Sequence, residues 1–383
     1  MSSAATAFVA GAFEHPGRRL PDKSVAQIHA EVALGALSDA GLSLDDVDGY
    51  LCSGDAPGGA TVMADFLGLR VRYVASTDIG GSSYVTLADQ AATAIENGDC
   101  EIALITMAGR PRTGKRRSAP VDTPFHAFEG IYGHTTVASY ALAARRHMHE
   151  FGTTAAQLAE VKVAASRHAQ HNPDAMLRDP VTADDVLASP MIADPLHRLD
   201  CCVITDGGGA LVVVSEAVAR KLSRQCVKVL GSATTVKHTD LGRIDLTHTG
   251  AVVTGPLALE RAGVRTGDID YASIYDSFTI TVVQTIEDLG FCAKGEGGKF
   301  VEDGTLRAPH GALPVNTDGG SLCNNHPANR GGLIRTLEAV RQLRGEAASA
   351  VQVPDCAVAL VHGTGGYLGS RMGSATMILG RDE

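Results

Sequence analysis

The 383-residue chain has no tryptophan, and aromatic residues make up only 4% of it. It does have 43 glycines, and many glycines with few aromatics suit the tight turns of an α/β protein better than a β-sandwich. None of its eight cysteines (Cys52, Cys100, Cys201, Cys202, Cys226, Cys292, Cys323 and Cys356) stands in a C-x-x-C pair. That argues against a zinc site and a disulfide framework, and it fits a reducing cytoplasm. No apolar run reaches the length of a membrane span. Residues 1–12 are small and apolar with no basic region before them, so a first strand is expected there rather than a signal peptide. Positive charge is also short. The formal net charge is −10, which argues against nucleic acid as the main partner. There is no Walker loop, and no G-x-G-x-x-G opens a helix after a strand, so nucleotide hydride chemistry has no support.

What is present is an ordinary globular composition, 44% apolar and 20% charged, in a chain long enough for two domains or one large one. Strands are expected over 6–11, 47–52, 71–75 and 101–107. Helices are expected over 25–40, stopped by Gly41, and over 82–97, stopped by Gly98. A basic run, Arg110-Pro-Arg112-Thr-Gly-Lys115-Arg116-Arg117, then leads into a mostly helical stretch from 118 to about 195, with its clearest helices over 137–151 and 155–168. The chain returns to a turn and buried strand at Ile204-Thr205-Asp206-Gly207-Gly208-Gly209-Ala210.

An internal repeat follows. Ala36 to Leu42 leads to Asp46-Val47-Asp48, and Ala258 to Val264 leads to Asp268-Ile269-Asp270 at the same spacing. Asp99-Cys100-Glu101-Ile102 is echoed by Asp355-Cys356-Ala357-Val358. Two matched pairs in the same order suggest a duplicated α/β unit with mainly parallel or mixed sheets.

One stretch has no helical or strand period: Asn316-Thr-Asp-Gly319-Gly320-Ser-Leu-Cys323-Asn-Asn325-His326-Pro327. Paired glycines allow positive φ or close approach of a ligand, and a histidine before proline is held in extended or turn backbone. It reads either as a catalytic loop or as a polar turn facing water.

These features together resemble the thiolase superfamily. Asn325-His326-Pro327 looks like the family's Gly-His-Pro motif, the 204–210 turn like its Asn-Asp-Gly-Ala-Ala turn, and His362-Gly-Thr-Gly365-Gly366 like its Cys-x-Gly-x-Gly loop, with His for Cys as in sterol-carrier-type thiolases. Tyr275-Asp276-Ser277-Phe278, Glu287 to Cys292, Lys294-Gly-Glu296 and Leu313 to Gly320 narrow the likeness to thiolase-like lipid-transfer proteins, some of which are acyl-CoA retro-aldolases that shorten steroid side chains. The resemblance implies a duplicated βαβαβαββ unit in a five-layer αβαβα arrangement, with halves 1–225 and 226–383 and a helical insertion at 118–195.

A thiolase places a cysteine nucleophile at the start of a buried helix, where dipole and histidines favour the thiolate. Here that position falls on Gly81 or Ser82, and Ser82 reads as a nucleophile or as a helix cap. Retro-aldol cleavage of a β-hydroxyacyl-CoA needs no cysteine. Tyr275 and His326 would move protons and His362 would help hold the enolate. Asp276, Gly319, Gly320, Asn325, Gly365, Gly366 and Tyr367 are the expected substrate-side residues. Arg110, Arg112, Lys115 and Arg116 are candidates for the phosphates of coenzyme A, which would enter as part of the substrate with no covalent cofactor and no metal. The alternatives are a thiolase-type acyltransferase using Ser82 or Cys323, and a non-catalytic acyl-CoA carrier. The resemblance also implies a homodimer through the strand near 71–75, and a small zinc-ribbon and OB-fold partner that helps bind coenzyme A.

Overall fold

A computed structural model describes residues 7–54, 56–114, 130–132, 135–327, 331–368 and 370–382. In chain order the strands and longer helices are β1 (Ala7–Glu14), α1 (Val25–Ala40), β2 (Gly49–Ser53), α2 (Gly59–Phe66), β3 (Tyr73–Thr77), α3 (Ser83–Glu96), β4 (Ile102–Gly109), α4 (Thr136–Phe151), α5 (Ala155–Ala169), α6 (Ala183–Ala188), β5 (Met191–Ala193), β6 (Leu196–His197), β7 (Gly207–Ser215), β8 (Val227–Lys237), α7 (Ala251–Ala262), β9 (Tyr271–Ile274), α8 (Thr279–Asp288), α9 (Gly332–Arg344), β10 (Val358–Tyr367) and β11 (Ser370–Arg381). Local signals set the ends. Ser24 and Gln27 form a reciprocal cap before α1, and Gly41 ends it at φ 72°, where a β-carbon is disfavoured.

Nine strands form a sheet in the order β3-β2-β4-β7-β1-β8-β11-β10-β9. The seam between β1 and β8 is short, Phe8 with Lys228 and Val9 with Val227. Both faces are covered, and the period of two sorts the side chains. Phe8, Tyr50, Leu104 and Val212 pack outward on α1 and α2. Their neighbours Val9, Leu51, Ile105 and Val213 point inward to α3 and α9, as do Tyr271, Val361 and Met377 of the second half. Ala272, Leu360 and Ile378 face a third cluster with α7, α8 and the α4–α5 region. The result is five layers of the expected α/β thiolase-like kind, with α3 and α9 shared in the middle.

The sequence repeat has a physical cause. At the head of β2, Asp48 accepts the backbone N–H groups of Glu101 and Ile102 at 2.9 and 2.8 Å, tying β2 to β4. At the head of β9, Asp270 accepts those of Ala357 and Val358 at 2.8 and 2.9 Å, tying β9 to β10. Each aspartate is reached through a left-handed glycine, Gly41 or Gly263, and a single 3₁₀ turn.

Because α3 and α9 serve both halves, they should melt as one unit. Leu337 is 1% exposed in the central layer. Leu337→Ala should lower stability by about 3 kcal/mol and shift a single calorimetric transition. Two separated transitions would contradict a shared middle layer.

Candidate active site

The start of α3 is pressed against the strand His362-Gly-Thr-Gly-Gly with almost no side chain between them. A β-carbon added at Gly365 would lie 2.0 Å from the Ile79 carbonyl oxygen, and one at Gly81 would lie 2.2 Å from the Thr364 carbonyl oxygen and 2.8 Å from Cζ of Tyr275. Gly331, just before α9, meets the same ring, its added β-carbon falling 2.6 Å from Cε2. Glycines therefore let two backbone segments approach one phenol closely, with the 362–366 strand packed on one of them.

That phenol meets the late histidine. Tyr275 follows β9, and its hydroxyl is 2.7 Å from Nε2 of His326, with both side chains buried. Burial pushes the Tyr275 hydroxyl well above its ordinary range. Burial, helped by the nearby Arg335 guanidinium, pulls His326 down to about 4. Both shifts favour the neutral forms, so the phenol donates and the imidazole accepts. The His326 backbone N–H donates to the Thr205 hydroxyl at 2.8 Å, and that hydroxyl donates to the Asn325 amide oxygen at 2.6 Å. The 204–210 turn thus fixes the histidine.

The rest of the 316–327 loop is held from below. Arg335 on α9 donates two hydrogen bonds to Asp318, at 2.8 and 2.6 Å, and neither side chain is more than 1% exposed. Burial alone would raise the Asp318 carboxyl, but Arg335 holds it at about 2. Asp276 accepts the backbone N–H groups of Ser321 and Leu322 at 2.7 and 3.1 Å. Burial outweighs Arg335 there and pushes its carboxyl up to about 6.

The Thiolase C-terminal domain-like family matches residues 233–381. An "Acetyl-CoA acetyltransferase" of Methanothermobacter thermautotrophicus is 34% identical over 91% of this chain and 93% of its own. A "Steroid side-chain-cleaving aldolase" of Thermomonospora curvata is 33% identical over 84% of this chain and 86% of its own. The chain belongs to the thiolase superfamily. A solved structure described as "Ltp2-ChsH2(DUF35) aldolase" superposes with a TM-score of 0.90 at 31% identity, covering 99% of this chain and 98% of that one.

Within this thiolase-superfamily frame the other candidates fall in different places. Gly81, not Ser82, faces Tyr275. Ser82 is fully buried at the N-terminus of α3, and its hydroxyl donates back to the Ile79 carbonyl at 2.7 Å instead of accepting from a first-turn N–H as a cap would. Cys323 is buried and its thiol is pushed up by burial, away from thiolate character. His362 does not join His326. The strand period puts it on the face of Leu360, where Nδ1 meets the Thr376 hydroxyl at 2.8 Å and Nε2 finds no hydrogen-bond partner among the described residues. Burial pulls it down to about 3. Asp276, Gly319, Gly320 and Asn325 serve the loop itself rather than an open substrate face. Added β-carbons at Gly319 and Gly320 would strike Ala169 and the Asp276 carboxylate at 2.6 and 2.0 Å. Asn325 is fully buried between Thr205 and Glu14.

Gly365 packs on the α3 turn, while Gly366 is exposed at φ 90°. Tyr367 is described as strand backbone only. Arg110 donates to the carbonyls of Pro21 and Lys23, and Arg112 to that of Ile204. Lys115 and Arg116 lie outside the described residues. Among the described residues no helix is long and apolar enough to cross a membrane, and no cluster of His, Cys, Asp or Glu could hold a metal. The sequence reading missed Arg335, which looks like any polar residue on a helix. It also missed Tyr140 of α4, whose ring stacks 4.2 Å from Phe278 beside the site.

His362 provides a test of its placement. Its folded pKa lies below the value of about 6.5 of an unfolded histidine. The unfolded state therefore binds the extra proton first, and stability falls as pH drops from about 6.5 toward the folded value. His362→Asn should remove this slope. Between pH 6.5 and 5 the variant should lose about 2 kcal/mol less stability than wild type, read by denaturant melts. Equal slopes would place His362 in contact with solvent.

Proposed function

We propose that the chain is an acyl-CoA lyase that cleaves β-hydroxyacyl-CoA thioesters by a retro-aldol step. The observation that carries this reading is the buried Tyr275–His326 hydrogen bond, set against Gly81 where a thiolase nucleophile would stand. A proton relay occupies the place of a nucleophile. The substrate β-hydroxyl gives its proton to the Tyr275 oxygen as Tyr275 passes its own to Nε2 of His326. The oxygen lone pair becomes the new carbonyl, the Cα–Cβ bond breaks, and its electrons go to the thioester enolate. The imidazolium then returns the proton through Tyr275 to Cα. The products are a ketone or aldehyde and a shortened acyl-CoA, with protons and electrons balanced. The enolate forms in a dry site and favours the imidazolium beside it. Coenzyme A enters as part of the substrate.

Purified protein should release ketone or aldehyde from branched β-hydroxyacyl-CoAs. Tyr275→Phe and His326→Ala should each lower kcat by about 10²- to 10⁴-fold. In wild type, kcat/KM should stay level from pH 8 to about 5 and fall toward about 4, because His326 accepts only when neutral and its burial and Arg335 hold it there. Wild-type rates in both variants would sink the assignment. A trapped acyl-enzyme from a β-ketoacyl-CoA would point to acyl transfer instead, and saturable binding without turnover, with any partner present, to a carrier.

Two further parts of the reading concern assembly. β3 lies at a sheet edge, with Val74 and the nearby α2 residues Val62 and Phe66 exposed. We propose a cytoplasmic homodimer that pairs there, since pairing removes an open edge. We also propose a small second protein that completes the coenzyme A site. Arg110 and Arg112 already bond the chain's own carbonyls, although Arg112 is exposed and can still meet a phosphate. The neighbour described as an Ltp2-ChsH2(DUF35) aldolase supports this part. Sedimentation should give about twice the 39.7 kDa chain mass. A monomer at micromolar concentration refutes the dimer, and full acyl-CoA affinity and turnover in the isolated chain refute the partner.

A further inference from the structure

Five backbone carbonyls of the 316–327 loop accept from one neighbour, the stretch 162–177 that begins in α5, while those of Ser321 and His326 accept from the Val203 and Thr205 N–H groups and that of Asn324 also from Arg18. The Lys162 ammonium donates to the Leu322 carbonyl at 2.7 Å. Nδ1 of His168 donates to the Asn316 carbonyl at 3.2 Å, its other nitrogen accepting from the Ala308 N–H at 2.8 Å. The Asn172 amide donates to the Asp318 carbonyl at 3.0 Å. The backbone N–H groups of Leu177 and Met176 donate to the carbonyls of Cys323 and Asn324 at 2.9 and 3.2 Å. Ala169 lies against Gly319, where a β-carbon would come within 2.6 Å. The insertion is therefore a template for the loop that carries His326.

Lys162 differs from the other donors because it brings a full charge into the interior, at 1% exposure. A buried ammonium is costly unless its surroundings compensate. Here it sits at the end of the one-turn helix Gly320–Cys323, whose last carbonyls have no intrahelical donor. The Asp276 carboxylate holds the opposite end of the same turn through the N–H groups of Ser321 and Leu322. The turn is thus gripped between a buried anion at its N-terminal side and a buried cation at its C-terminal side, each favoured by the local backbone dipole. His326 lies four residues beyond Leu322.

Resting on the retro-aldol reading, we propose that Lys162 is a positioning residue that keeps the His326 imidazole within hydrogen-bond reach of Tyr275 by fixing the Gly320–Cys323 turn from the insertion side. It acts through backbone and does not touch the reacting atoms. The dyad is then built by both the C-terminal half and the insertion, and a change in the insertion is felt as chemistry as well as substrate choice.

The test uses the full-length protein with whatever partner its activity needs. Lys162→Met keeps the length of the side chain and removes charge and donor, whereas Lys162→Gln retains a donor. Lys162→Met should lower kcat by about 10- to 100-fold, as small displacements of catalytic groups do, with KM for the acyl-CoA changed less than about threefold. The acid limb of kcat/KM should move from about 4 toward the ordinary histidine value of about 6.5, because a loosened imidazole is hydrated. Lys162→Gln should recover part of kcat, and it stands in if the Met variant does not fold. An NMR titration of the His326 imidazole reads the same displacement without substrate. An unshifted titration in a folded variant overturns the positioning role, whatever the activity. A wild-type protein without lyase activity, together with a shifted titration in the variant, overturns the reaction and leaves the positioning role standing.

Discussion

The Arg335–Asp318 ion pair is the constraint on which the rest of the site depends. Two charges buried together gain only if the geometry is good and the remaining hydrogen-bonding atoms are used. Both conditions hold. The pair is bidentate, and Asp318 also accepts from the Gly320 N–H at 3.0 Å and the Asn324 amide at 2.8 Å. A further link runs through Asn324 to Arg18 and Glu14 of the first half, then to Arg341, Glu338 and Thr317. The loop is therefore tied to α9, to β1 and to its own first turn by one connected set of charges. Removing one member of such a pair leaves an uncompensated charge, which costs about 3–5 kcal/mol. The same guanidinium lowers the basicity of His326 and opposes the rise of Asp276, so a structural ion pair also sets the protonation of the site.

Around that anchor, glycine backbone fills the space at the start of α3. The contact between Gly80-Gly81 and Gly363 to Gly366 leaves no room for a side chain, and the space is closed by the ring of Tyr275. Relatives named as an acetyltransferase and as an aldolase are almost equally similar, at 34% and 33% identity. Overall similarity does not choose between the two chemistries, so the proposed retro-aldol step rests on the side chains at the site. The proposed step asks of them a buried phenol–imidazole pair that can pass a proton.

Much of this could be read from the chain itself. Helix α1 begins and ends where its apolar spacing, Ser24 and Gly41 place it. The Asp48 and Asp270 echoes were visible as a repeat because the same carboxylate task recurs at the same distance from the same glycine turn. Tyr275 and His326 were legible because each stands in a short segment with unusual composition between regular elements, and the superfamily resemblance gave them a common destination.

Direction and depth were not legible. A one-residue choice between Gly81 and Ser82 turns on which Cα vector faces Tyr275, and only the packed backbone sets that. His362 sits in a motif that suggests chemistry, yet the alternation of β10 turns its ring toward Thr376 on the other face. Asp276, Asn325 and Lys162 are polar residues whose roles depend on long-range partners, separated from them by 45, 120 and 160 positions. Local pattern in the chain was enough for the repeated α/β scaffold and for singling out Tyr275 and His326, which the fold brings to a 2.7 Å hydrogen bond. Tertiary structure alone decided which polar groups serve the loop and which face the site, because burial and charge pairing arise only once distant segments meet.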